Sequence, residues 1–120
     1  PQVVLWGSGS PRREFLHVDD MAPACLHVMQ LDQGEFMDPY PSFVNVGTGV
    51  DMTIRDVAAV IARLVGFTGT TVYNSSQPDG TPQKLLDTGR INRLGWKPAL
   101  SLSEGLADAY QAYQRGVAEV

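Results

Sequence analysis

The sequence predicts an α/β fold of a few short strands with three to four helices. Three observations carry that expectation. Runs of strand length stand at residues 3–6, 43–46 and 70–74; apolar residues recur at three- and four-residue spacing in three longer stretches; and Gly/Pro-rich turns separate them.

The first strand, Val3-Val-Leu-Trp6, stops at Gly7-Ser-Gly-Ser-Pro11, which is turn chemistry. Arg13-Glu-Phe-Leu-His-Val18 reads as extended, and Asp19 or Asp20 is suited to cap the helix that follows. That helix carries Met21, Ala24, Cys25, Val28 and Met29 on one face, so Cys25 is expected to pack as a thiol, with His27 off the stripe at the surface. Residues 33–41 form a surface connection, and Phe43-Val-Asn-Val46 is expected to be the second strand, closed by Gly47-Thr-Gly49. Thr53 and Asp56 begin a helix with Ile54, Val57, Ala58, Ile61, Leu64 and Val65 on one face and Gly66 as its stop. A third strand spans residues 70–74 and a long exposed loop residues 75–82. Asp87 is placed to cap a short helix, and Ser101 with Glu104 to box the start of the last one. No linker divides the chain, so residues 1–120 read as one domain.

Composition narrows the function. Of 120 residues 43% are hydrophobic and 18% charged, enough apolar side chain for a core. Nine Lys plus Arg against thirteen Asp plus Glu give a net charge of −4, which disfavours nucleic acid or an anionic membrane as partner. No apolar run is long enough to span a bilayer, and a single cysteine fits a reducing cytoplasm. The abrupt apolar opening at Pro1 reads as an excerpt from something longer. No Gly-x-Gly-x-x-Gly, phosphate-loop Gly-Lys, Tyr-x-x-x-Lys or Gly-x-Ser-x-Gly motif occurs, so no catalytic or cofactor-binding residue is assigned, and no metal ligand either.

Three stretches suit ligands. Trp6 followed by a glycine turn and Arg12-Arg13 offers a ring for a base or sugar and guanidinium for phosphate, although a buried Trp beside solvated arginines fits equally well. His17 with Asp19 and Asp20 matches either acid/base groups or, at a helix start, a capping set. In Pro78-Asp-Gly-Thr-Pro82, Asp79 can accept from ribose hydroxyls, with Lys84 facing phosphate, or the loop is an ordinary turn. Asn45-Val-Gly-Thr-Gly49 suits a phosphate cradle or, more simply, a tight turn.

Taken in order, Val4-Leu-Trp6-Gly-Ser-Gly-Ser-Pro-Arg-Arg13-Glu-Phe-Leu-His17-Val-Asp-Asp20, Asn45-Val-Gly-Thr-Gly49, Pro78-Asp-Gly-Thr-Pro82, Lys84-Leu-Leu-Asp87 and Arg90-Ile-Asn-Arg-Leu-Gly-Trp96 resemble the second half of the GDP-L-fucose synthases. These are extended short-chain dehydrogenase/reductases of the NAD-dependent epimerase/dehydratase superfamily. The resemblance covers essentially the whole chain and implies the small C-terminal substrate-binding domain, with the Rossmann part missing. It implies a GDP-sugar substrate, GDP-4-keto-6-deoxy-D-mannose converted to GDP-L-fucose with NADP(H) in the full-length enzyme, and a cytoplasmic homodimer paired through N-terminal helices absent here. The chain alone is expected to be inactive and to hold no cofactor. Carried over by position, Trp6 meets the guanosine end, Arg13 the diphosphate and Asp79 the ribose, with Lys84 nearby. Arg12 is expected to face solvent. Gln77 and Thr70 depart from the pattern by replacing basic residues, which leaves them outside the site. A different nucleotide-sugar epimerase or dehydratase, and a non-catalytic binding module, are the other readings.

Overall fold

A computed structural model of the chain describes residues 1–118. Two small sheets organise it. In the first, β1 (Gln2–Trp6) runs parallel to β4 (Thr70–Asn74), with Val4 opposite Val72 and Trp6 opposite Asn74. Pleating turns Val3 and Leu5 toward α2 (Ile54–Leu64), where they share an apolar gap with Ala58, Ile61 and Val65. The other face carries Val4 and Trp6, which is 73% exposed. The second sheet has the order β3-β2-β5, with β2 (Arg12–Glu14) antiparallel to β3 (Asp51–Thr53) and parallel to β5 (Gln83–Lys84).

α2 forms as its sequence dictates. Thr53 Oγ1 accepts from the Asp56 amide at 3.0 Å and donates to the Asp56 carboxylate at 2.6 Å. The helix closes on Gly66 at φ +68°, where the Phe67 amide reaches back to the Ala62 carbonyl.

α1 (Val18–Met29) departs from expectation at its start. His17, not Asp19 or Asp20, is the cap, its Nδ1 accepting from the Asp19 amide at 3.2 Å. Asp20 is 5% exposed and instead accepts from the Ala99 and Leu100 amides at 2.9 and 3.1 Å, pinning the segment that leads into α4 (Leu102–Ala118). The apolar stripe of α1 is only partly covered: Ala24 is buried, but Cys25 is exposed and Met29 is 80% exposed. His27 is not a surface residue, because its Nε2 lies 2.8 Å from the Leu94 carbonyl in a half-buried site.

The core joins Ala24, Ile91 and Trp96, with Leu16, Val28, Val44 and Val46 packed around it. Val44 and Val46 therefore face inward, yet residues 43–46 form no strand, contrary to expectation. The Arg90 guanidinium, from α3 (Gly89–Arg93), donates to the carbonyls of Glu35, Pro41 and Phe43, so the backbone leading into this segment is satisfied without a ladder. Asp87 does bind the first turn of α3, through the Gly89 amide at 2.8 Å.

The radius of gyration is 17.8 Å, against roughly 14 Å for a compact chain of this length. Much apolar surface thus stays outside the small core.

Asp20→Ala strands two amides and is expected to lower unfolding free energy by about 2 kcal/mol. Thr53→Ala removes a cap and is expected to cost about 1 kcal/mol. Urea titration of both variants measures these, and a smaller effect at Asp20 than at Thr53 would contradict the bridging role of Asp20.

Candidate functional site

The cleft of interest is built on the three-stranded sheet. Alternation along β2 sends Arg13, and Phe15 just beyond it, to one face and Arg12 and Glu14 to the other. Arg13 sits in register between Met52 and Lys84, and residues in register project from the same face. The two cations are therefore neighbours. That face opens onto a cleft of about 300 Å³ lined by Arg13, Phe15, Thr48, Val50, Met52 and Leu100. Arg13 reaches back to donate to the Arg12 carbonyl at 2.7 Å, and its Nη2 runs close to Gly80.

The opposite face is a polar scaffold. Arg12 does not point free into solvent: its Nε and Nη2 lie 2.8 and 2.7 Å from Asp51 Oδ1. Asp51 Oδ2 accepts from Gln83 at 2.6 Å, so one carboxylate spans β3, β2 and β5. The Arg12 hydrogen bond, with Gln83 adding to it, holds the Asp51 carboxyl below the usual carboxylate range, and Asp51 in turn raises Arg12. Glu14 accepts from the Gly49 amide at 2.5 Å, Thr48 Oγ1 at 3.2 Å and the Leu86 amide at 3.0 Å. The turn read as a possible phosphate cradle thus holds an anion of its own. A Cβ on Gly47 would lie 2.5 Å from Glu14 Oε1, which is why that position is glycine.

A second turn lies beyond Gly80, the residue that Arg13 Nη2 approaches. Asp79 accepts from the Ser8 amide at 2.6 Å and from Ser8 Oγ at 2.8 Å, tying the 75–82 loop to the turn after Trp6. Arg55 donates to the Ser8 carbonyl at 2.8 Å while its guanidinium lies 4.4 Å from the centre of the Tyr73 ring. Of the four residues singled out from the sequence, Arg13 and Lys84 come together on the sheet, and Trp6 and Asp79 flank the turn beside it. Asp51, Gln83 and Glu14 carry no ligand motif in the sequence; there Arg13 is set apart from Arg12 by the motif it fits, and alternation along β2 puts the two on opposite faces. His17 joins α1 to α4, its Nε2 lying 3.5 Å from Asp108, with the Asp19 carboxylate at 4.0 Å from Nδ1. Among the described residues, no helix is long and apolar enough to cross a membrane.

Homology places the chain in the extended short-chain dehydrogenase/reductase superfamily; residues 1–47 match the NAD dependent epimerase/dehydratase family. Within that superfamily its homology is to the GDP-L-fucose synthases. It is 55% identical to the GDP-L-fucose synthase of Escherichia coli (strain K12) over 92% of this chain and 36% of that protein. Two solved structures from Campylobacter jejuni are similar. A GDP-6-OMe-4-keto-L-xylo-heptose reductase is 38% identical with TM-score 0.88, over 96% of this chain and 34% of that one. A GDP-mannoheptose C4 reductase with NADP bound is 36% identical with TM-score 0.85, over 94% and 35%. The chain thus spans about a third of the length of these relatives. It corresponds to their C-terminal portion.

Because its folded-state pKa is lowered, Asp51 contributes stability that is present above the unfolded carboxylate value of about 4 and lost as pH falls through the folded value. Unfolding free energy measured from pH 6 to pH 2 is expected to fall less steeply in Asp51→Asn than in the parent. Parallel curves would contradict this.

Proposed function

We propose that this chain is the nucleotide-sugar-binding domain of a GDP-sugar epimerase/reductase that converts GDP-4-keto-6-deoxy-D-mannose to GDP-L-fucose with NADPH. The observation that carries the proposal is the strand register that sets Lys84 opposite Arg13, with Arg13 lining the cleft, an arrangement that suits a diphosphate. Trp6, exposed at the end of β1, offers its ring to the guanosine end. Asp79 faces the ribose, exchanging part of its hold on Ser8 for hydroxyl donors. The homology to GDP-L-fucose synthases supports the GDP-sugar over other substrates.

The residues present do not fit the dinucleotide. Both Gly-x-Gly turns have amides committed to internal carboxylates, the Ser8 amide to Asp79 and the Gly49 amide to Glu14, which leaves no nest for a pyrophosphate at either. Cofactor and catalytic residues therefore belong to another part of the enzyme, and so do the helices through which it dimerises; this chain alone is inactive. Its open shape and the exposed Val4 are consistent with a layer that packs against such a part. The two heptose reductases favour a second reading, a GDP-sugar of different carbon skeleton.

Calorimetry with GDP is expected to show weak binding to the chain, because half the pocket is missing. Arg13→Ala is expected to weaken it by about tenfold or more, the worth of one charge-assisted contact. An affinity unchanged in that variant would overturn the diphosphate role. In the longer enzyme, NADPH oxidation is expected with GDP-4-keto-6-deoxymannose; turnover only with a GDP-heptose would establish the second reading.

A further inference from the structure

We propose that Asp51 is a positioning residue for the anion site: by claiming Arg12 and Gln83 on one face of the three-stranded sheet, it holds Arg13 and Lys84 side by side on the other. The anion half of this inference rests on the diphosphate reading of Arg13 and Lys84 given above.

β5 is two residues long, and so short a parallel pair has little ladder with which to hold its own register. One backbone bond, from the Arg12 amide to the Pro82 carbonyl at 2.8 Å, marks its start. Glu14 holds its exit through the Leu86 amide at 3.0 Å, and the Asp51 side chain ties its first residue across the sheet. Asp51 stands on the far edge strand, is 7% exposed, and divides its oxygens between the middle strand and the opposite edge: Oδ1 to Arg12 at 2.8 Å and Oδ2 to Gln83 at 2.6 Å. A slip of β5 by one residue would exchange the faces of Gln83 and Lys84. Lys84 would then lie on the Asp51 side, drawn to the carboxylate, and Arg13 would be left as a single cation. That slip would break the Gln83 bond to Asp51 and pull the Leu86 amide away from Glu14, and both losses oppose it. The same pair keeps Arg12 from competing with Arg13 for a ligand.

Positioning and simple charge predict opposite signs. Asp51→Asn removes a negative charge near two cations, and by Coulomb's law alone an anion should bind tighter. If Asp51 positions the cations, the anion binds more weakly. The test measures the affinity of the chain for inorganic pyrophosphate and for GDP by calorimetry, together with amide hydrogen exchange in the absence of ligand. In Asp51→Asn, exchange of the Arg12 amide is expected to speed up about tenfold with α2 amides unchanged, and pyrophosphate affinity to fall about fivefold. The reversed pair Arg12→Asp with Asp51→Arg is expected to restore both. Unchanged Arg12 protection, or tighter pyrophosphate binding, would overturn the proposal. If exchange in Asp51→Asn rises throughout α2 as well, Gln83→Ala decides, since it removes only the arm to the far edge; it is expected to free the Arg12 amide and weaken pyrophosphate, and a parent-like result there would also overturn it. Should the parent bind neither GDP nor pyrophosphate, the diphosphate reading fails by itself, while the Arg12 amide still reports whether Asp51 sets the register.

Discussion

Strand β2 carries three charges in succession, Arg12, Arg13 and Glu14, and pleating sends them alternately to the two faces of a three-stranded sheet. The cleft depends on that alternation. The middle charge is turned toward the apolar lining formed by Phe15, Val50 and Met52, while its neighbours are consumed by the scaffold. Arg12 is neutralised by Asp51, and Glu14 gathers the 47–49 turn and the exit of β5. Asp51 and Glu14 lie opposite each other in the β2·β3 pair, an arrangement that would repel if either were bare. Each instead has its own donors, so two carboxylates that would otherwise disrupt the pair hold the sheet to its surroundings.

The glycine turns follow the same logic. A Gly-x-Gly sequence after a strand exposes amides, and in a nucleotide-binding protein it invites a phosphate. Here each turn is occupied from within, the first by Asp79 and the second by Glu14. The close approach that requires Gly47 is an approach to Glu14 rather than to a ligand. Side chains, not backbone nests, are left as the groups that face a ligand, and this is why Arg13 and Lys84 carry the proposed diphosphate contact.

What was legible in the sequence was local. The Thr53/Asp56 and Ser101/Glu104 boxes lie three residues apart and form as spaced, the latter drawing the Glu104 carboxyl below its ordinary range through the Ser101 hydroxyl and amide. Bonds between distant segments were not legible: Asp20 to Ala99, Arg90 to the carbonyls of 35–43, and Asp51 to Gln83 join residues whose spacing carries no period. A carboxylate at a helix start is commonly the cap, but two amides after Pro98 claim Asp20. Periodicity along α1 groups Met21, Ala24, Cys25, Val28 and Met29, yet only Ala24 and Val28 reach the core, and Met21, Cys25 and Met29 are exposed. The four candidate ligand residues were reached through motif order. Their two-by-two grouping, cations on the sheet and Trp6 with Asp79 at the turn, depends on strand register and had to be seen.

The hold of Asp79 on Ser8 has a consequence for selectivity. A carboxylate that is already satisfied has nothing to lose when a ligand without hydroxyls arrives, and only an exchange of partners to gain when a diol does. Swapping one set of bonds for another of similar strength contributes little to affinity. A nucleotide and its deoxy analogue would therefore be told apart poorly at this carboxylate, and the choice of substrate would fall to the ring at Trp6 and to the sugar beyond the phosphates.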